Sequence, residues 1–325
     1  MRIHWVNMIL GLCVGLHLLG APLEDVAFSV GKVAESSVTG SLDGWGSQGF
    51  AVKVMTMDGA PREGADDLWA DMVLGWNEKY LQIGVQVTDD VWFESKNPEN
   101  LWKNDGLEIF VASDKGAKES IQLLVGPGID AQYGETPRIH LLDKRDTKVP
   151  FDPLVAVSKQ EHQYTVEVLL PWQGLGMEPA VGTELALQVY VNDADATNGR
   201  RTTARFFPLG ETHRNTENMH TIRLAEQSGP PVLANASVSF PKMSYTEISI
   251  LAAAECAGAS AIVRPFMTQP VTLKAHAHWA EATVIQPLPD HEFAESVGQL
   301  ELTAPGKSSV TKVQIPDFRQ EREAF

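Results

Sequence analysis

The sequence predicts an all-β protein, with an antiparallel β-sandwich followed by a second, smaller β-sandwich-like domain. Three observations carry this. Four runs alternate apolar and polar residues with a period of two, the repeat of a strand with one buried face. No long 3.6-residue pattern separates them, which leaves little place for helices. Finally, Ser228-Gly229-Pro230-Pro231 interrupts the chain where proline and glycine stop regular pairing, and new strand-like runs begin beyond it.

The chain opens with Arg2 and His4, then a mostly apolar run from Val6 to Leu19, closed by the small residues Gly20 and Ala21. This is the pattern of an export signal, read as residues 1–21, and it places the protein in the secreted, periplasmic or cell-surface space. The run falls short of the ~20 apolar residues that a bilayer span needs. Cys13 lies inside it, so removal of the signal leaves Cys256 alone and no intramolecular disulfide can form.

Residues 22–227 hold the four alternating runs. In them Leu81, Ile83, Val85 and Val87 alternate with Gln82, Gly84, Gln86 and Thr88, and Leu107, Ile109 and Val111 with Glu108, Phe110 and Ala112. Further on, Tyr164 to Leu170 and Leu185 to Asn192 do the same. The second faces carry Gln82, Gln86, Glu108, Gln188, Tyr190 and Asn192, a hydrogen-bonding surface that suits a ligand platform and equally an ordinary solvated face. Residues 228–235 read as a linker. Residues 236–325 read as a C-terminal β domain without an assigned role, with strand-like runs at Glu247–Ala252, Val271–Ala277, Gln299–Thr303 and Val310–Ile315.

The composition, 43% hydrophobic and 21% charged, is that of a chain able to bury cores. Its net charge of -16 repels phosphate backbones, which argues against nucleic acid and leaves a neutral sugar or a divalent cation easier to accept.

Four segments in order resemble family 9 carbohydrate-binding modules. They are Leu42-Asp43-Gly44 with Asp71 to Leu81; Val87-Thr88-Asp89-Asp90; Leu101-Trp102-Lys103-Asn104-Asp105-Gly106-Leu107-Glu108-Ile109-Phe110-Val111; and Val166 to Trp172 leading into Asn192-Asp193-Ala194-Asp195. The resemblance covers about residues 38–225. It implies sugar binding without catalysis, in which aromatic side chains sandwich a sugar ring and polar groups on a concave sheet hold its hydroxyls. Stacking works because one pyranose face is lined with apolar C–H bonds, and each hydroxyl taken from water must regain a partner. Trp102 matches the first stacking tryptophan and Glu108 the acceptor carboxylate. The second tryptophan is absent from Gly210 to Met219, where His213 stands nearest. A family arginine expected near Gln122 is missing, and a family glutamine appears as Tyr190. Tyr190, Gln188, Asn192 and His213 complete the expected ligand set. The family also binds calcium structurally, for which Asp43, Asp89, Asp90, Asp193 and Asp195 are candidate donors, with Asp43, Asp89 and Asp193 the assigned set. The implied partners are polysaccharide and secreted glycoside hydrolases.

Other chemistry finds less support. Asp105 and Glu108 stand three apart, and nothing aligns Glu108 with Glu167 as a glycosidase pair. His276 and His278 share a strand face, but a third metal ligand such as His291 is not placed by any motif. Arg200 and Arg201 read as a solvated hairpin tip, and Asn235-Ala236-Ser237 as a glycosylation sequon. Two rival classes stay open: a DOMON-like extracellular redox module holding haem b through residues such as Met72, Met219, His213 and His220, and a structural surface module without ligand.

Overall fold

The alternating runs become strands at the expected places. The computed structural model describes residues 27–314 except 35–37, 46–47, 60–65, 130–135, 197–198, 208–209, 243–244, 277–278, 288–296 and 305–306. The export signal, His278 and His291 lie outside the described residues. The first thirteen strands are β1 (Phe28–Gly31), β2 (Phe50–Val52), β3 (Thr56–Gly59), β4 (Leu68–Trp76), β5 (Tyr80–Asp89), β6 (Gly106–Ala112), β7 (Ile121–Gly126), β8 (Arg138–Asp143), β9 (Leu154–Gln160), β10 (Gln163–Pro171), β11 (Glu184–Asp193), β12 (Thr202–Arg205) and β13 (His220–Ala225). One sheet runs β1-β13-β11-β6-β7-β8, with β12 and then β3 continuing from the end of β11. The other runs β2-β4-β5-β10-β9.

The two sheets face each other across one core. Ile83 and Val85 of β5 and Val166 and Val168 of β10 meet Ile109 of β6 and Leu187 and Val189 of β11, all fully buried. Each such side chain contributes about 1.5–3 kcal/mol on leaving water. Gly84 sits on the outer face of β5 because Leu42 and Trp45 lie directly on it; a Cβ there would come within 2.3 Å of Leu42 Cδ2. Strand β7 escapes a period-two reading because all six of its residues are buried. One pair departs from the antiparallel expectation: β1 lies parallel to β13, in the register Phe28↔Ile222 to Gly31↔Ala225. A parallel pair needs a long connection, and here the rest of the sandwich supplies it.

The C-terminal part has eight strands among the described residues: β14 (Ala234–Lys242), β15 (Tyr245–Ala253), β16 (Ser260–Arg264), β17 (Val271–Thr272), β18 (Lys274–Ala275), β19 (Trp279–Pro287), β20 (Val297–Ala304) and β21 (Lys307–Gln314). They form two four-stranded sheets, β14-β15-β19-β18 and β17-β16-β20-β21, over a second apolar cluster. The run expected as one strand at 271–277 is two, because buried Leu273 bonds Ala259 O through its N–H at 2.9 Å while β17 pairs with β16 and β18 with β19. The segment read as a linker runs beside β2, with Val232 N bonded to Ala51 O and Lys53 N to Val232 O. Val54 contributes its side chain to the C-terminal cluster, and Trp69 packs against it.

Candidate functional site

Strands β6 and β11 are neighbours within the larger sheet. Their inward residues fill the core, and alternation turns Glu108, Gln188, Tyr190 and Asn192 to the opposite face. Glu108 is 5% exposed and collects three donors. Gln122 Nε2, from β7, reaches Oε2 at 2.8 Å; Asn192 Nδ2 reaches Oε1 at 2.9 Å; Arg200 Nη1 reaches Oε1 at 3.1 Å and Asn192 Oδ1 at 3.0 Å. Burial pushes the Glu108 carboxyl above its usual range, against the pull of Asn192, Arg200 and Gln122.

Arg200 comes from the turn between β11 and β12, which sequence reading treats as a solvated tip. Gly199 enters it at φ +94, a left-handed conformation that favours glycine, and passes close to Lys103 O. That oxygen belongs to the 3-10 turn Pro98–Lys103, capped by Asn97 Oδ1 accepting from Glu99 N and anchored by buried Leu101. Trp102 stands on this turn, 41% exposed, with Lys103 Nζ 5.2 Å from its ring centroid. The structure therefore gathers Glu108, Asn192, Gln122 and Arg200 on one face, and leaves the Trp102 indole accessible on the turn that precedes β6.

The other half of the face is covered. Gln188 Nε2 donates to Phe207 O at 2.8 Å, and its Oε1 accepts from Phe207 N at 2.9 Å. Tyr190 Oη lies 2.7 Å from Thr212 Oγ1 and its ring packs with Phe110 and Met219. Both side chains brace the segment after β12 against the sheet. His213, on that segment, has a side chain 45% exposed, and partial burial lowers its basicity despite Glu211 nearby.

A group of carboxylates lies at the ends of the same strands. Ligand oxygens of Asp89, Asp105 and Asp193 all fall within 4.8 Å of one another, and all three residues are fully buried. Asp105 accepts from Phe93 N and, at 2.8 Å, from Ala194 N, while Asp89 accepts from Val91 N at 3.0 Å. Asp89 Oδ2 and both oxygens of Asp193 have no hydrogen-bond partner. Burial, reinforced by mutual repulsion, raises Asp89 to about 8, Asp193 to about 7 and Asp105 well above the carboxylate range. Unpartnered buried oxygens are costly, and a hard divalent cation takes oxygen donors of this kind, so the trio fits calcium. Asp67, Asp90 and Asp195 form a second group, but Arg201 already meets Asp67 at 2.8 Å and Asp195 at 2.6 Å. Asp43 joins neither group; it starts the 3-10 turn Asp43–Trp45, whose Trp45 lies over the outer face of the other sheet.

Residues 40–227, more than half of the chain, match the carbohydrate family 9 binding domain-like model. The chain belongs to this family. One similar solved structure is a carbohydrate binding module family 9 from Caldicellulosiruptor kristjanssonii in complex with cellotriose, at 17% identity and TM-score 0.50, covering 62% of this chain and 95% of that one. A structure of a family 9 module from the same organism in complex with glucose gives 18% identity, TM-score 0.49, and coverage of 62% and 97%. A putative carbohydrate-binding protein from Bacteroides uniformis gives 11% identity, TM-score 0.40, and coverage of 61% and 98%. No curated protein matches the chain. The family match ends at residue 227, just before β14.

Within this family 9 chain the sequence motifs identify Glu108 and Asn192, which the fold joins at 2.9 Å, and miss Arg200, which bonds both. The available signal was Gly199-Arg200-Arg201 directly after the Asn192-Asp193-Ala194-Asp195 strand end. Glu108 and Glu167 do not face each other: Glu167 lies on β10 in the other sheet, accepting from Thr39 N at 2.8 Å, Gly40 N and Trp45 Nε1. The residues of the haem reading are dispersed. Met72 is in the inter-sheet core, Met219 on the outer face, His220 among Phe28, Phe206 and Phe207, and His213 on the covering segment. His276 stacks on Trp279 and pairs with Glu281 at 3.0 Å. The sequon asparagine, Asn235, is 3% exposed and donates to Val54 O at 2.7 Å, which leaves its amide no access to a glycosyl donor.

Proposed function

We propose that this chain binds a neutral saccharide on the open half of the larger sheet's outer face, as a non-catalytic module. The observation that carries the reading is the buried carboxylate of Glu108 clamped by Gln122, Asn192 and Arg200, with Trp102 exposed on the turn that precedes the same strand. The indole offers an apolar face to the C–H side of a sugar ring. Arg200, its side chain 32% exposed, offers further N–H donors to hydroxyls, and Glu108 fixes its direction. Cellotriose, the saccharide in the first of the similar family 9 structures, is the ligand to try first.

Calcium would be held by Asp89, Asp105 and Asp193, offsetting two of the three negative charges of these buried carboxylates. These residues sit on the segments that carry the sugar groups. Asp105 lies between Trp102 and Glu108, and Asp193 follows Asn192 and accepts Arg201 N through its carbonyl at 2.8 Å. The ion would thus hold both halves of the site in register. The N-terminal signal pattern and the acidic composition support an exported role, fixing a secreted partner such as a glycoside hydrolase to polysaccharide.

Calorimetric titration of the full chain with glucose and with cello-, xylo- and laminari-oligosaccharides tests the reading. Saturable heat lost in Trp102→Ala and Arg200→Met is the expected result. Heat that both variants retain in full would move the site elsewhere on the molecule, and absence of binding to any glycan would favour a structural module.

A further inference from the structure

We propose that Tyr164 is a positioning residue of the buried cation site, its phenol O–H donating to Asp89 Oδ2 and closing the site on the side of the core. This rests on the cation reading above and adds a residue to that same site.

The strand repeat carries the argument. Residues two apart on a strand share a face. Val85 and Val87 of β5, Leu107 and Ile109 of β6, and Val189 and Val191 of β11 fill the inter-sheet core. Two positions beyond the end of each of these rows stand Asp89, Asp105 and Asp193. The carboxylates therefore cap one end of the core, on the inward face of both sheets. Tyr164 belongs to the matching inward row of β10, with Val166 and Val168. It is opposed to Val87 across the β5–β10 pair, which makes Asp89 its diagonal neighbour on the same face. Diagonal neighbours are about 7–8 Å apart, within reach of an aromatic side chain.

The hydroxyl at the end of that ring is the second observation. Tyr164 is 1% exposed, and its Oη has no hydrogen-bond partner. A buried tyrosine hydroxyl ordinarily finds one, and leaving it unmet is costly. The charges that act on this hydroxyl are those of Asp89, Asp105, Glu94 and Asp193. Glu94 already accepts from Gly128 N at 2.8 Å and meets Arg138 at 3.1 Å, and Asp105 accepts from Phe93 N and Ala194 N. Asp89 Oδ2 and both oxygens of Asp193 have no partner. An unmet donor and unmet acceptors thus share one dry end of the core. A carboxylate oxygen has a lone pair for a cation and another for a hydroxyl, so Asp89 Oδ2 can serve both. Hydrogen bonds of this kind fix the direction of a ligating carboxylate, and losing one costs about 10–100-fold in metal affinity.

The test is calorimetric titration of the chelator-stripped full chain with calcium chloride at pH 8, in wild type and in Tyr164→Phe, with melting temperatures of both in chelator. Calcium affinity should fall about tenfold or more in the variant, or ~1.4 kcal/mol. The chelated variant should melt no lower than wild type, because it keeps the ring and loses an unmet hydroxyl; this also shows that it folds. Equal calcium affinities would overturn the proposal and leave the aspartate trio standing. So would a chelated variant destabilised as much as the calcium-loaded one, the result of a role in packing alone. If the variant does not fold, the wild-type protein decides: calcium that leaves the tyrosine bands of the near-ultraviolet difference spectrum unmoved overturns the proposal. A wild-type chain that binds no calcium overturns the cation reading and this one with it.

Discussion

Calcium at pH 8 should raise the melting temperature of this protein by about 5–10 °C over the chelated protein, and the gain should shrink as pH falls. The perturbation removes the ion from Asp89, Asp105 and Asp193. At a hundredfold excess over its dissociation constant, a ligand specific to the folded state adds about 2.7 kcal/mol. In a domain of this size each kcal/mol moves the melting point by about 2–4 °C. The pH dependence follows from the cation-free trio. Its folded carboxyls titrate above the ordinary 3.8, Asp89 at about 8 and Asp193 at about 7, because burial and mutual repulsion oppose ionisation. A group raised in the folded state contributes its full stability below its unfolded pKa and loses it as pH rises through the folded one. The chelated protein should therefore weaken from about pH 4 to pH 8, by about 1.4 kcal/mol for each tenfold gain in a carboxylate's proton affinity on folding. Calcium, which binds the ionised form, should flatten that decline. The assay is differential scanning calorimetry at pH 5 and pH 8, with calcium or with chelator. Equal melting temperatures with and without calcium at pH 8, and no decline in the chelated series, would refute the cation site and the linkage argument together.

Three further outcomes follow from the geometry. Trp102→Ala should lower saccharide affinity about tenfold or more in calorimetry while changing the unfolding free energy by less than about 0.5 kcal/mol, since the indole is 41% exposed. Arg200→Met should also weaken binding about tenfold and should raise the pKa of Glu108, seen as a shifted carboxyl resonance in an NMR titration, because it removes a cation 3.1 Å from a buried carboxylate. Glu167→Ala should do the reverse: destabilise by about 2–4 kcal/mol in urea unfolding, because it strands the N–H groups of Thr39, Gly40 and Trp45, yet leave saccharide affinity within twofold.

Sequence alone was most informative where chemistry follows the strand repeat. Leu107, Ile109 and Val111 announce the core face of β6, and Glu108 then has to point the other way. The repeat fails where both faces are covered, as in β7, or where a loop lies on the sheet, as Leu42 and Trp45 do on Gly84. It does not say which outward residues stay accessible. Gln188 and Tyr190 share their face with Glu108, but the segment after β12 folds back and takes their hydrogen bonds. Long-range partnerships were least visible. Arg200 meets Glu108 across ninety-two positions, and Asp105 joins Asp89 and Asp193 because three strand ends converge, whereas Asp43, earlier in the same family motif, lies over the other sheet.

The parallel seam between β1 and β13 has a mechanical consequence. Tension entering at Phe28 and leaving past Ala225 pulls the two strands along their length in opposite directions, so the four rungs from Phe28↔Ile222 to Gly31↔Ala225 must yield together instead of peeling one at a time. A domain loaded through these two points resists forced opening more than one whose end strands part rung by rung.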